Sequence, residues 1–199
     1  HNRLLIKGKR LHFIVFTLSH SRRGSSMPNE VLDNALLEQV IKVNDWLFTH
    51  SFPFWMKSSV NPDGGFYERH TLSGEGIRGE DSRVRLQARQ TYCFALAAEL
   101  GWKPNFCELV VRQGMQVLTS DCRRPDGLYG TRVMPGTGLT NPGAETYDCA
   151  FALLAFSTAL RVMNLEEARI AGSELRGAMH KHLRDVTRGG IKNVCRLQG

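Results

Sequence analysis

The chain has 199 residues, 42% of them hydrophobic, 23% charged and 9% aromatic, with 19 Gly and 7 Pro. That composition excludes a disordered, collagenous or disulfide-knotted chain, and no apolar run reaches the roughly 18 to 20 residues that a membrane-spanning helix needs. The net charge of +7 is concentrated at one end: Arg3, Lys7, Lys9, Arg10, Arg22 and Arg23 fall in residues 1–26 with no acid, and the remainder is almost neutral. No Lys/Arg stripe interleaved with aromatics follows residue 26, so the sequence points to no nucleic-acid partner and no membrane partner.

In chain order, residues 1–26 combine a basic start, an apolar stretch from Leu11 to Leu18 and a polar Ser/Arg segment. They resemble a secretion signal only loosely, because no small-x-small cleavage site follows. Met27-Pro28-Asn29-Glu30 reads as a natural start, so residues 1–26 are expected to be a basic leader outside the fold and residues 27–199 the folded part. Five cysteines, none at a C-x-x-C spacing, fit a reducing cytosol and hence a cytoplasmic protein. Cys93 and Cys149 lie in apolar segments and are expected to be small core residues.

Next comes a helical pattern over residues 31–50, with Leu36, Val40, Val43 and Leu47 on one stripe. A turn follows at Pro62-Asp63-Gly64-Gly65-Phe66-Tyr67. Residues 83–100 form helix capped by Gly101 and apolar on every side in their second half, whereas residues 105–119 are one-sided through Phe106, Leu109, Val110 and Val117. A second turn, Pro125-Asp126-Gly127-Leu128-Tyr129-Gly130, leads to a helix over residues 146–162 that is apolar all round. In a one-sided helix over residues 165–184, Ala168, Ala171, Leu175, Ala178 and His182 share a face, and a third turn follows at Arg188-Gly189-Gly190-Ile191. Gly64, Gly127 and Gly190 are spaced by 63 residues twice over, so the chain repeats. Outer, inner, outer, inner, outer is the order of helical hairpins around a ring, in which each repeat buries its apolar face on its neighbours.

Pro53-Phe54-Trp55, Asp63-Gly64-Gly65-Phe66-Tyr67-Glu68, Leu86-Gln87-Ala88-Arg89-Gln90-Thr91-Tyr92-Cys93-Phe94-Ala95 and Tyr147-Asp148-Cys149-Ala150-Phe151-Ala152 together resemble the N-acylglucosamine 2-epimerase family, which includes mannose isomerases. The resemblance covers residues 30 to about 193. It implies an all-α fold, an incomplete (α/α)6 barrel with about five of the twelve helices, since six hairpins at this period need about 380 residues. It also implies a cofactor-independent carbohydrate isomerase or epimerase that moves a proton next to a carbonyl of a small sugar. After Asn193 the family continues with an Asn-Pro-x-Met-His-Leu-like helix and a second half bearing two catalytic histidines, whereas this chain continues with Val194-Cys195-Arg196-Leu197-Gln198-Gly199. The expectation is therefore an amino-terminal half that is inactive alone. A homodimer of the full-length protein is compatible with its amphipathic outer helices.

Proton transfer through an enediolate needs a base and a cation or donors where oxygen turns negative. Arg89, on an inner helix, fits the cationic role as the catalytic candidate, and Arg85 one turn earlier extends the wall as a substrate-binding candidate. The alternative is that both arginines pair with carboxylates such as Glu80 or Asp81, or lie at a solvated helix start. Tyr147 opens the next inner helix and is the other substrate-binding candidate, Asp148 reads as a helix-end stabiliser, and Trp55 and Phe66 read as core before sugar platform. His180 and His182 diverge on their helix, so no metal site is expected. No G-x-S-x-G, Walker or G-x-G-x-x-G context occurs. Two other readings stay open: an (α/α)-toroid glycoside hydrolase, for which the acids are poorly placed in turns and at helix starts, and a non-catalytic helical-repeat binding module.

Overall fold

A computed structural model describes residues 30–195, with the side chains of residues 30–33 and 195 left aside. The expected basic leader lies outside these residues. Helix α1 (Glu30–Trp46) runs without a break through a wide π turn (Leu47–Ser51) into α2 (Phe52–Ser58). Pro53 explains the widening: it has no N–H to give, and its ring would clash with the carbonyl of Thr49 in a regular helix. The stripe expected to be buried here is not. Leu36 is 48% and Val43 58% exposed, because no other element covers this face of α1 among the described residues.

Two hairpins of an inner and an outer helix follow. The first pairs α3 (Val84–Glu99) with α4 (Pro104–Ser120), and the second pairs α5 (Thr146–Met163) with α6 (Glu166–His182). The turn between α3 and α4 comes from its residues. Gly101 takes a left-handed φ of 87°. Its N–H bonds the carbonyl of Ala98 while Trp102 N–H bonds that of Ala97, closing both orphan carbonyls and burying the indole. Pro104 then opens α4, where an N–H would have no partner.

Small residues let the inner helices pack side by side: Ala88 and Ala95 of α3 and Ala152, Ala155 and Ala159 of α5 are all buried. Outer helix α4 comes equally close to α3. A Cβ on its Gly114 would lie 2.1 Å from Thr91 Oγ1, so only hydrogen fits there. Leu109, expected on the buried stripe of α4, is 69% exposed.

Short strands, which the helical pattern did not foretell, start each inner helix. Strand β1 (Ser82–Arg83) pairs with β2 (Arg132–Met134), which continues to β3 (Gly138–Asn141); β4 (Ala144–Glu145) pairs with β5 (Val194–Cys195). The register repeats: Ser82 faces Val133 as Ala144 faces Cys195. The first amide of α3 bonds the Thr131 carbonyl just as the first amide of α5 bonds that of Asn193. The three marker turns keep their geometry, with Gly64, Gly127 and Gly190 all at positive φ. Buried Gln87 pins the first of them, donating to the Phe66 carbonyl and Ser82 Oγ and accepting from the Phe66 N–H.

Candidate functional site

The outer helices pack against one side of α3 and α5, and the opposite face stays open. On it, Arg85 and Tyr147 are the second residues of the two inner helices, and Arg89 and Phe151 the sixth. The repeat therefore sets two arginines of one helix level with two aromatics of the next.

All three site residues anticipated from sequence come together. Arg89 donates from Nη2 to Tyr147 Oη at 2.5 Å, and its Cζ lies 4.2 Å from the centre of the Phe151 ring and 5.6 Å from that of Tyr147. The two rings meet edge to face at 5.0 Å. Arg85 Cζ is 5.5 Å from the Tyr147 ring centre. Arg89 and Tyr147 are exposed, Tyr147 by 49%, so both remain open to a ligand. A guanidinium laid over aromatic rings keeps its planar fork of donors directed sideways.

The arginines differ electrically. Arg85 faces Asp148 Oδ2 at 3.4 Å and Glu145 Oε2 at 3.5 Å, so its charge is balanced. Among the described residues no carboxylate pairs with Arg89. Glu80 and Asp81, the partners considered from sequence, go elsewhere: Glu80 to Arg69 and Asp81 to Arg132. Because Arg85 takes up Glu145 and Asp148, those acids do not form the facing pair a glycosidase requires.

Asp148 does more than its sequence position suggested. Its side chain is fully buried, and Oδ1 accepts the backbone N–H of Arg85 at 3.1 Å, so it serves the first turn of the neighbouring helix α3. The Arg83 amide is met by Glu68 Oε2 at 2.9 Å, so carboxylates from elsewhere serve both ends of this first turn. Burial pushes the Asp148 carboxyl up to about 6, against the pull of the Arg85 charge and amide.

Cys93 lies on the open face one turn beyond Arg89, not in the core as expected. Its apolar surroundings raise the thiol pKa while Arg89 draws it down, so the neutral thiol prevails near pH 7. Cys93 and Gln90 border a cleft of about 290 Å³ walled by Leu47, Phe52 and Trp55. Trp55 is 38% exposed, whereas Phe66 is buried and stacks on Phe94 at 5.9 Å, so only Trp55 is available as a platform. His180 and His182 sit on outer helix α6, and no three His, Cys, Asp or Glu side chains cluster to hold a metal among the described residues.

Helical hairpins with inner helices that share one open face, bearing a rung of Arg85, Arg89, Tyr147 and Phe151, define part of an (α/α)6 barrel. Residues 65–196 match the N-acylglucosamine 2-epimerase (GlcNAc 2-epimerase) family, and the chain belongs to it. It is 32% identical over 128 residues, 64% of its own length and 33% of the relative's, to a mannose-6-phosphate isomerase of Rhizobium meliloti strain 1021. Its backbone resembles cellobiose 2-epimerase from Spirochaeta thermophila, with a TM-score of 0.71, 20% identity, and 80% of this chain superposed on 40% of that one. It also resembles a D-mannose isomerase, with a TM-score of 0.68, 20% identity, and 77% of this chain on 38% of the other. The chain thus spans between a third and two fifths of the length of these relatives.

Proposed function

We propose that this chain supplies the cationic wall of a sugar isomerase or epimerase site. Arg89 and Tyr147 hold oxygens of an open-chain sugar, and Arg89 stabilises the enediolate or enolate formed as a proton leaves the carbon beside the carbonyl. The carrying observation is the Arg89 guanidinium, held by a phenol and an aromatic face with no counter-carboxylate among the described residues, which leaves its donors for an oxygen that turns negative. Arg85, already balanced, orients neutral hydroxyls. Aldose–ketose exchange, such as mannose to fructose, passes through this enediolate and places the proton on the neighbouring carbon, whereas 2-epimerisation returns it to the opposite face of the same carbon, through an enolate where that carbon bears an N-acyl group.

The base lies elsewhere in this reading. The open face of α3 and α5 carries no histidine, and Asp148 is sealed from it. The 199-residue chain by itself is expected not to turn over mannose or N-acetylglucosamine derivatives. Joined to the carboxyl-terminal half of a family member, it is expected to do so, and Arg89→Ala is then expected to lower kcat by about 10²- to 10³-fold, the cost of losing one oxyanion donor. Substantial turnover by the chain alone, or unchanged kcat in the joined Arg89→Ala protein, overturns the assignment.

A further inference from the structure

We infer that Asp148 is a positioning residue for this site: from the first turn of α5 it grips both the backbone and the guanidinium of Arg85, and Arg85 braces the Tyr147 ring to which Arg89 bonds. The inference rests on the reading that Arg89 and Tyr147 meet the substrate, and it names what aims them. Every link is a direct contact. Asp148 Oδ1 takes the Arg85 amide at 3.1 Å, Oδ2 faces Arg85 Nη1 at 3.4 Å, Arg85 lies 5.5 Å from the Tyr147 ring centre, and Tyr147 Oη receives Arg89 at 2.5 Å.

The charge on Asp148 is not what the fold needs. An asparagine there would still cap the Arg85 amide with its side-chain oxygen, without desolvating an anion. The groups facing the carboxyl are Arg83 and Arg85 at the start of α3, Glu145 of β4, Cys122 beyond α4 and Cys149 of its own helix. Burial outweighs the attraction of the two arginines, as the upward displacement of the carboxyl's pKa records. A buried anion that burdens the fold yet holds a guanidinium in place serves the placement of that guanidinium.

The test follows the arginine side-chain and Tyr147 ring signals by NMR in the labelled 199-residue chain. The chains compared are the unsubstituted protein, Asp148→Asn and Glu145→Gln. In Asp148→Asn the Arg85 Nη1–H, which faces Asp148 Oδ2, is expected to exchange with water about tenfold faster, the ratio for losing one charge-assisted bond of about 1.4 kcal/mol. The Tyr147 and Arg89 signals are expected to move with it, whereas Glu145→Gln leaves them in place. If Asp148→Asn changes only the melting temperature, Asp148 is a helix cap and the inference fails.

Should that variant not fold, the unsubstituted chain decides. Between about pH 5 and 7 the Arg85 and Tyr147 signals are expected to titrate together with the Asp148 carboxyl carbon. A carboxyl that titrates while both stay still overturns the clamp. Turnover by the joined protein and its Arg89→Ala form reports separately on the substrate reading: an intact clamp with unchanged kcat in joined Arg89→Ala refutes that reading and leaves the clamp standing.

Discussion

Replacing Asp148 by asparagine is expected to alter the pH dependence of stability in a way that isolates one buried charge. In the fold the carboxyl's pKa rises from 3.8 to about 6, a displacement of about two units at about 1.36 kcal/mol each. The folded protein therefore binds this proton more tightly than the unfolded chain. Below about pH 3 both states hold the proton and the carboxyl adds no charge penalty. As pH rises from about 3 to 7 the unfolded state ionises first, and the fold loses stability, reaching a deficit of about 3 kcal/mol that stays constant above about pH 7. Asparagine does not titrate. Urea unfolding of both proteins from pH 3 to 7.5 should give a difference curve that climbs by about 3 kcal/mol in favour of the variant and levels off near pH 7. Any fixed offset from the altered grip on Arg85 leaves the climb unchanged. Asp81, whose carboxyl is held well below the usual range by Arg132 and Thr140, contributes to both proteins and cancels in the difference. A flat curve, or one that falls across this window, would show that the pull of Arg85 exceeds the desolvation of Asp148, and the reasoning would be wrong.

Further expectations concern the helix contacts and the open face. Gly114→Ala should destabilise by about 1 to 3 kcal/mol in urea, since its methyl would meet Thr91 and Phe66 where neither can retreat. Gln87→Leu should cost about 2 to 4 kcal/mol, because the Phe66 N–H and carbonyl and the Ser82 hydroxyl lose their shared partner in a dry core; a midpoint unchanged within error would deny the turn its anchor. Arg89→Lys in a joined, active protein should lose kcat nearly as fully as Arg89→Ala, because an ammonium cannot spread over Phe151 and reach Tyr147 at once. With iodoacetamide, Cys93 should be the first of Cys93, Cys107, Cys122 and Cys149 to be alkylated in the folded chain. Its rate should rise steeply above pH 9, and mass spectrometry of peptides would show any other order.

Most of the helical scaffold was legible because its repeat carries strong local chemistry. Glycines at positive φ recur at one spacing, and runs of alanine with leucine or phenylalanine mark the inner helices. Arg89 and Tyr147 were singled out by the family motifs on the two inner helices, and the repeat sets Arg85 level with Tyr147 and Arg89 level with Phe151. Three features escaped for physical causes. The strands are two to four residues long, too short for an alternating pattern to register. The apolar stripe of α1 forecast burial correctly as chemistry but not as geometry, because a stripe does not say what covers it. Asp148 was read along its own helix, whereas its chief partner lies 63 residues earlier, a distance that local pattern does not sense.

The source of the helix caps bears on how this protein acquires its shape. The first turn of α3 is completed by Glu68 before it and by Thr131 and Asp148 after it, so that helix has no self-sufficient beginning. An excised α3–α4 hairpin would fray at its entry, and ribosomal synthesis must run well past it before the turn can close. Such borrowed endings make successive hairpins depend on one another in sequence, like bricks in an arch under scaffolding, and favour all-or-none assembly over stepwise growth.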